Sequence, residues 1–309
     1  MNRIYLDTAR MLVQVAPLVF RESPFALKGG TAINLFVRDM PRLSVDLDLV
    51  FSDHRLAREV ALTRINDALT AAADRLRSHR FTVRKQATTD AGDTKLHVRR
   101  GNIEVKVEAN VVLRGTVHPV RIASLTAKAR EALQADLEIP VAADEDLYAG
   151  KLVAALDRQH PRDLFDVMQL MANGGITSEM RRTFVIYLAC HNRPIHELLS
   201  PALRDMSQEY QRTFAGMTAE PVELSDLLAT REAMVSNLRA GLKSHDREFL
   251  LSVARAEPDW GKTPYVHASE LPALQWKLLN LRKLRDSHAK RFAAQHDELR
   301  KQLERHETR

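Results

Sequence analysis

Residues 25–51 read FALKGGTAINLFVRDMPRLSVDLDLVF, and one part of this stretch leaves the fold little freedom. Val45 to Phe51 reads as a strand whose first five residues alternate between apolar and acidic: Val45, Leu47 and Leu49 face one way, Asp46 and Asp48 the other. Such a segment is a strand with one buried and one polar face. Its aspartates project from the same face, about 6–7 Å apart. Two carboxylates so placed are unfavourable unless a cation neutralises them. A hard divalent ion does this economically, and oxygen ligands suit magnesium, which takes one or two protein carboxylates and leaves room for substrate phosphates. For the aspartate pair alone, a solvated strand edge is the competing reading.

The residues just before that strand favour the ion. Phe25 to Lys28 reads as a short strand entering Gly29-Gly30, and Thr31 to Val37 carries Ile33, Phe36 and Val37 at helical spacing before Pro41 ends the element. Glycines between a strand and a helix let bare N–H groups approach an anion, and the helix start adds its partial positive charge. The pair is a candidate phosphate cradle next to two metal ligands. The chain contains neither a P-loop pattern nor G-x-G-x-x-G there, which excludes a Walker-type or dinucleotide fingerprint.

Beyond this region, Met11 to Phe20 is expected to form an amphipathic first helix, since Gln14, Pro17 and the following Arg21-Glu22 do not fit an export signal. Arg55 to Arg77 carries a helical apolar stripe. Phe81 to Lys85, Lys95 to Arg99 and Ile103 to Leu113 read as strands separated by turns at Gly92 and Gly101. From about Asp144 onwards the pattern is helix after helix, with breaks near Asn173-Gly174-Gly175, Arg193-Pro194, Ala219-Glu220-Pro221 and Glu257-Pro258. Leu271 to about Glu307 reads as one long or kinked helix. The expected architecture is therefore α+β, with an α/β domain over residues 1–143 and a helical domain over 144–309.

With 309 residues, 45% hydrophobic and 28% charged, the chain can build two cores. A single cysteine, Cys190, excludes an internal disulfide framework and suits a reducing cytoplasm, where the protein is expected to be soluble. No apolar run approaches the roughly 20 residues needed to span a bilayer, so no membrane partner is expected. The formal net charge is +6, and residues 277–309 hold 10 basic against 5 acidic residues, placing most of the excess in a C-terminal arm suited to a phosphate backbone. A solvated helix face explains the same charge equally well.

Three motifs in this order carry a family resemblance. KGGTAINL followed by PRLSVDLDLVF resembles the first motif of the DNA polymerase beta superfamily of nucleotidyltransferases, and its Gly-Gly-Thr form is most similar to the AbiEii/AbiGii-type toxin family. DLYAGKLVAALDRQHPRDLFDV, residues 146–167, resembles that family's Lys…Arg-Asp-x-x-Asp segment, and LPALQWKLLNL, residues 271–281, its C-terminal signature. The resemblance implies a polymerase-beta-like nucleotidyltransferase domain with a mixed sheet, followed by an all-α domain. It also implies the chemistry: a hydroxyl attacks the α-phosphate of a nucleoside triphosphate (NTP) and pyrophosphate leaves, with two magnesium ions as cofactors.

On that reading Asp46 and Asp48 are metal ligands, and Gly29, Gly30 and Thr31 bind nucleotide. A third carboxylate belongs on a neighbouring strand, where alternation allows Glu104 or Glu108; the local pattern Lys106 to Asn110 matches the family's strand with Glu108 as catalytic and metal-binding residue. Lys151, with Arg158 seven residues on, is implied to reach the triphosphate. Asp163 ranks above Asp166 as the catalytic acidic residue of the second motif, with Arg162 as their candidate structural partner. Arg42 and Ser44 would tune the aspartate strand. Lys95, His97 and Arg99, alternating on one strand face, read as solvated and outside the site.

The resemblance further implies a toxin of a phage-defence type toxin–antitoxin system, acting on RNA such as tRNA 3′ ends and neutralised by a separately encoded antitoxin. Two alternatives compete with it: nucleotidyl transfer to a protein hydroxyl, and a non-enzymatic phosphate- or nucleic-acid-binding module on the same fold.

Overall fold

The computed structural model describes residues 3–87 and 93–304, so the turn expected at Gly92 lies outside the described residues. The chain forms two compact units, residues 1–147 with 214–221, and residues 148–213 with 222–309. The expected boundary at 143/144 falls at the start of a helix, and a short later segment returns to the first unit.

The first unit is built on a seven-stranded mixed sheet in the order β3-β4-β5-β2-β1-β7-β6. Its strands are β1 (Phe25–Lys28), β2 (Asp46–Phe51), β3 (Thr82–Ala87), β4 (Asp93–Arg100), β5 (Ile103–Asn110), β6 (Arg121–Ser124) and β7 (Glu138–Val141). β2 runs parallel to β5 and β1 parallel to β7; the other pairs are antiparallel. Alternation sorts the central strands into two faces. Leu47, Leu49, Leu96, Val98, Val105, Val107 and Ala109 are buried together on one face. Helix α1 (Arg3–Phe20) covers that face with Leu12, Val15, Ala16 and Val19, joined by α3 (Arg58–Ser78) through Ile65, Leu69, Ala72 and Leu76. The opposite face carries the charged side chains.

Between β1 and β2 the chain turns through α2 (Gly29–Ala32) and a π-helical turn over Ile33–Val37. The expected helix over Thr31 to Val37 thus starts two residues earlier and widens midway. β6, β7 and α4 (Ala127–Leu133) were not anticipated.

Helix α5 (Asp144–Arg158) starts in the first unit, and its body from Tyr148 belongs to the second. There follow α6 (Pro161–Ala172), α7 (Ser178–Cys190), α8 (Ile195–Leu199), α9 (Ser207–Thr213), α10 (Leu224–Ala240), α11 (Ser244–Ala254), α12 (Pro272–Ser287) and α13 (Ala289–Glu304). The breaks fall where Gly and Pro placed them. The last segment is not one helix: His288, at φ −144° and ψ 60°, ends α12, and α13 packs with Leu299 and Leu303 buried. Burying those leucines within the unit outweighs continuing a solvated helix with no further apolar face. No helix among the described residues is long and apolar enough to cross a membrane.

Candidate active site

Strand register assembles the acidic face. In the parallel β2–β5 pair Asp48 is the partner of Glu108 and Asp46 the partner of Lys106. Glu104, two pairs further along β5, is not beside either aspartate. On the other side of β2, Lys28 faces Asp48 across the antiparallel pair. The register therefore brings Asp46, Asp48 and Glu108 onto one face.

The glycine pair lies against this face, and its neighbours explain why both positions lack a side chain. Gly29 has φ +74°, and a Cβ there would lie 2.2 Å from Oδ2 of Asp48; at Gly30 a Cβ would meet Nη2 of Arg42 at 2.7 Å. Both glycines thus make room, one for the Asp48 carboxylate and one for the buried Arg42 guanidinium. Thr31 is fully buried; its hydroxyl donates to the Asp46 carbonyl and lies 2.9 Å from the Ser44 hydroxyl. Asn34 donates to the Gly30 carbonyl at 2.9 Å, bracing the turn from within, while Thr31 ties it to the aspartate strand. Arg42 donates to the Leu43 carbonyl and forms an isolated bridge with Thr218.

Glu108 is already engaged. Its carboxylate accepts from Lys95 Nζ at 3.1 Å, with both side chains about one third exposed. Glu104 is held by His97 at 3.0 Å and Arg99 at 3.8 Å, and the hydrogen bond from His97 lowers its pKa more than the nearby positive charges do. Lys95, expected to be solvated, thus touches a candidate site residue. Among the described residues no three His, Cys, Asp or Glu side chains converge as a preformed metal cage. Asp46 and Asp48 fit one magnesium ion in number and chemistry, and Glu108 would join them by releasing Lys95.

The second motif forms a separate cluster on α5 and α6. Lys151 Nζ lies 2.8 Å from Asp163 and 3.0 Å from Asp166, and these three side chains are at most 7% exposed. Arg158 reaches both oxygens of Asp163, at 3.0 and 2.8 Å, with 61% of its side chain in solvent. Two carboxylates and two cations balance. Arg162, the expected structural partner, is not the residue that pairs with these aspartates; Lys151 and Arg158 are. The Lys151 ammonium is committed to them, so the outward-facing cation of this motif is Arg158.

Burial raises the Asp163 pKa, but Lys151 and Arg158 outweigh it and hold the carboxyl down to about 2. Below an ordinary carboxylate value the unfolded chain takes up a proton that the folded one refuses, so this group stabilises the fold above about pH 4 and loses that contribution as pH falls towards 2. Asp163→Asn is expected to flatten this acid limb by about 2 kcal/mol. Urea unfolding at pH 5 down to pH 2, followed by tryptophan fluorescence, measures it; an unchanged limb would detach Asp163 from acid stability.

The basic arm is reduced by its packing. Lys277 is buried, donates to the carbonyls of Asn192 and Arg193 at 3.1 and 2.7 Å, and has its pKa pushed down to about 8 chiefly by burial. Arg285 pairs with Glu257, and Arg300 with Asp297 and Glu304. Arg282, Lys283, Lys290, Arg291 and Lys301 stay exposed, beside the part-exposed Trp276 and Leu279 of α12. Arg305, Glu307 and Arg309 lie outside the described residues.

Among curated proteins no match to the chain is found. Among solved structures it is similar to MenT4, a nucleotidyltransferase toxin from Mycobacterium tuberculosis H37Rv, with a TM-score of 0.59 at 19% identity over 86% of this chain and 93% of that one. This likeness shows a shared nucleotidyltransferase fold. The family model described as nucleotidyl transferase AbiEii toxin, Type IV TA system, matches residues 10–280, which span both the aspartate strand and the Lys151 cluster. A match of that extent settles the family: the chain belongs to the AbiEii nucleotidyltransferase toxins of toxin–antitoxin systems.

Proposed function

We propose that this toxin is a magnesium-dependent enzyme that transfers nucleotides from an NTP to RNA, with tRNA 3′ ends as acceptors, in a phage-defence setting where a separately encoded antitoxin restrains it. The observation that carries this reading is the register of Asp46, Asp48 and Glu108 on one sheet face, with Gly29 held against Asp48. Bound there, two magnesium ions would neutralise charge on the triphosphate and on the attacking oxygen. Asp46 and Asp48 would hold the ions, with the Asp46 backbone fixed by the Thr31 hydroxyl. Gly29 and Gly30 let the backbone approach the phosphates closely. Glu108 completes the carboxylate set once Lys95 lets go. The acceptor oxygen then bonds to the α-phosphorus as the bond to pyrophosphate breaks. In the second motif Lys151 and Asp166 fix Asp163, which in turn holds the exposed Arg158 guanidinium, a group whose planar fork suits phosphate.

The test is incubation with each α-labelled NTP, magnesium, and total RNA or total protein. Label in RNA is the expected result. Label in protein would establish the alternative acceptor, and no label in either would leave only a binding module.

The exposed cations of α12 and α13 favour RNA as acceptor. Removing residues 287–309 should make the dependence of RNA affinity on salt shallower for every sequence alike, because phosphate contacts carry no base information. If four to five contacts are lost, the slope of log K against log salt falls by about 3 to 4 on a single strand. Binding isotherms at several salt concentrations decide it; identical slopes would assign the arm to another partner or to solvent.

A further inference from the structure

At the far end of β2 the first unit keeps a cation that no part of the reaction uses. Arg114 is only 5% exposed, and its Nε and Nη1 atoms are buried without a hydrogen-bond partner. No carboxylate among the described residues pairs with it, and the charge that acts on it is Arg58, of the same sign. A buried guanidinium without an acceptor is among the costliest arrangements a fold can retain, and each such group calls for an explanation.

The surroundings hold Arg114 firmly. Asn110 accepts from the backbone N–H groups of Val112 and Leu113 at 2.9 and 2.7 Å, and the Gly115 N–H donates to the Phe51 carbonyl at 2.8 Å. Gly115 has φ +82°, and a Cβ there would lie 2.5 Å from that of His54. The loop carrying Arg114 is thereby pinned onto the segment joining β2 to α3. That helix begins at Arg58 after Ala57, which provides no side-chain cap, so its first N–H groups also await an acceptor.

We propose that Arg114, with Arg58 and the start of α3, forms a binding site for a phosphate group, separate from the Asp46–Asp48 site. A guanidinium fork matches phosphate oxygens bidentately; Arg58, paired with Glu59 at 3.2 Å, would turn from that carboxylate to join it, and with the helix N-terminus it suits an anion of more than one charge. The site lies beyond Phe51, about 10 Å further along β2 than Asp48. A free phosphomonoester and the backbone of a polynucleotide offer the same oxygens.

Nitrogen-15 spectra of the arginine Nε–H groups of the full chain test this directly. The resonance missing from Arg114→Lys identifies Arg114. Titration with inorganic phosphate, an NTP without metal, or a short oligoribonucleotide should move that resonance, whereas chloride at equal ionic strength should not. The probe acting at lowest concentration identifies the source. Asp48→Asn, which takes a negative charge away from the glycine pair and so eases phosphate binding there, should leave the phosphate concentration that moves the Arg114 resonance unchanged, separating the two sites. Arg58→Gln should weaken it about tenfold, the loss of one charge-assisted contact. Arg114→Met should melt no lower than the parent in phosphate-free buffer and lose the rise in melting temperature with phosphate. A resonance unmoved by all three probes, or moved equally by chloride, would overturn the proposal.

Discussion

Asp48→Ala is expected to lower nucleotide transfer at least about a thousandfold, and Asp46→Ala by a similar factor. Each ligand's loss removes several kcal/mol of charge stabilisation from the transition state. Both variants should fold. The two carboxylates share one polar face and repel one another there, with Lys28 and Lys106 as their strand partners. Removing one carboxylate should therefore leave the melting temperature in metal-free buffer unchanged or slightly higher. Labelled transfer and thermal melting on the same preparations check both halves. A variant that melts much lower yet keeps its activity would make these aspartates structural.

The opposite pattern is expected at Lys151, where stability carries the effect. Lys151→Met leaves Asp163 and Asp166 buried with Arg158 as their remaining cation, and breaking a buried pair in this way costs about 3–5 kcal/mol. Both tryptophans, Trp260 and Trp276, belong to the second unit, so their fluorescence follows its unfolding. The deficit should shrink as pH falls, starting above the ordinary carboxylate range, because burial without Lys151 makes the stranded carboxyls take up protons early. Adding Asp166→Asn should recover part of the loss. A variant within about 1 kcal/mol of the parent at pH 7 would show that the ammonium is dispensable to the cluster.

How much of this was readable beforehand depended on how far apart in the chain the deciding partners lie. Alternation in Val45 to Leu49 and in Ile103 to Val107 is local, so those strands and their polar faces were evident from the residues themselves. Register is not local. That Glu108 lies beside Asp48, and that Lys95 holds it, follows from pairing strands that no spacing rule connects. The same holds for Lys151: the motif picked out Lys151, Arg158 and Asp163, but only the packing of α5 against α6 shows which cation is buried and which faces water. β6 and β7 escaped because each has four residues, β6 is mostly exposed, and β7 contains Pro140, a residue that argues against a strand. The break at His288 carries neither Gly nor Pro, and is set by where Leu299 and Leu303 find cover. Arg114 offered no sequence signal, since a lone arginine after a strand is ordinarily solvated.

The return of residues 214–221 to the first unit has a consequence for how this protein can be divided. Leu43 N–H bonds to the Met217 carbonyl and Ala219 N–H to the Pro41 carbonyl, both at 3.1 Å, while Phe214 and Met217 are buried. The strip that buttresses Arg42, and through it Gly30, is thus encoded between α9 and α10, deep within the helical half of the gene. No single cut yields both units whole, and the two cannot be exchanged as cassettes between relatives: a recombination point after residue 147 would graft a foreign buttress beside the glycine pair. The halves are bound to be inherited together.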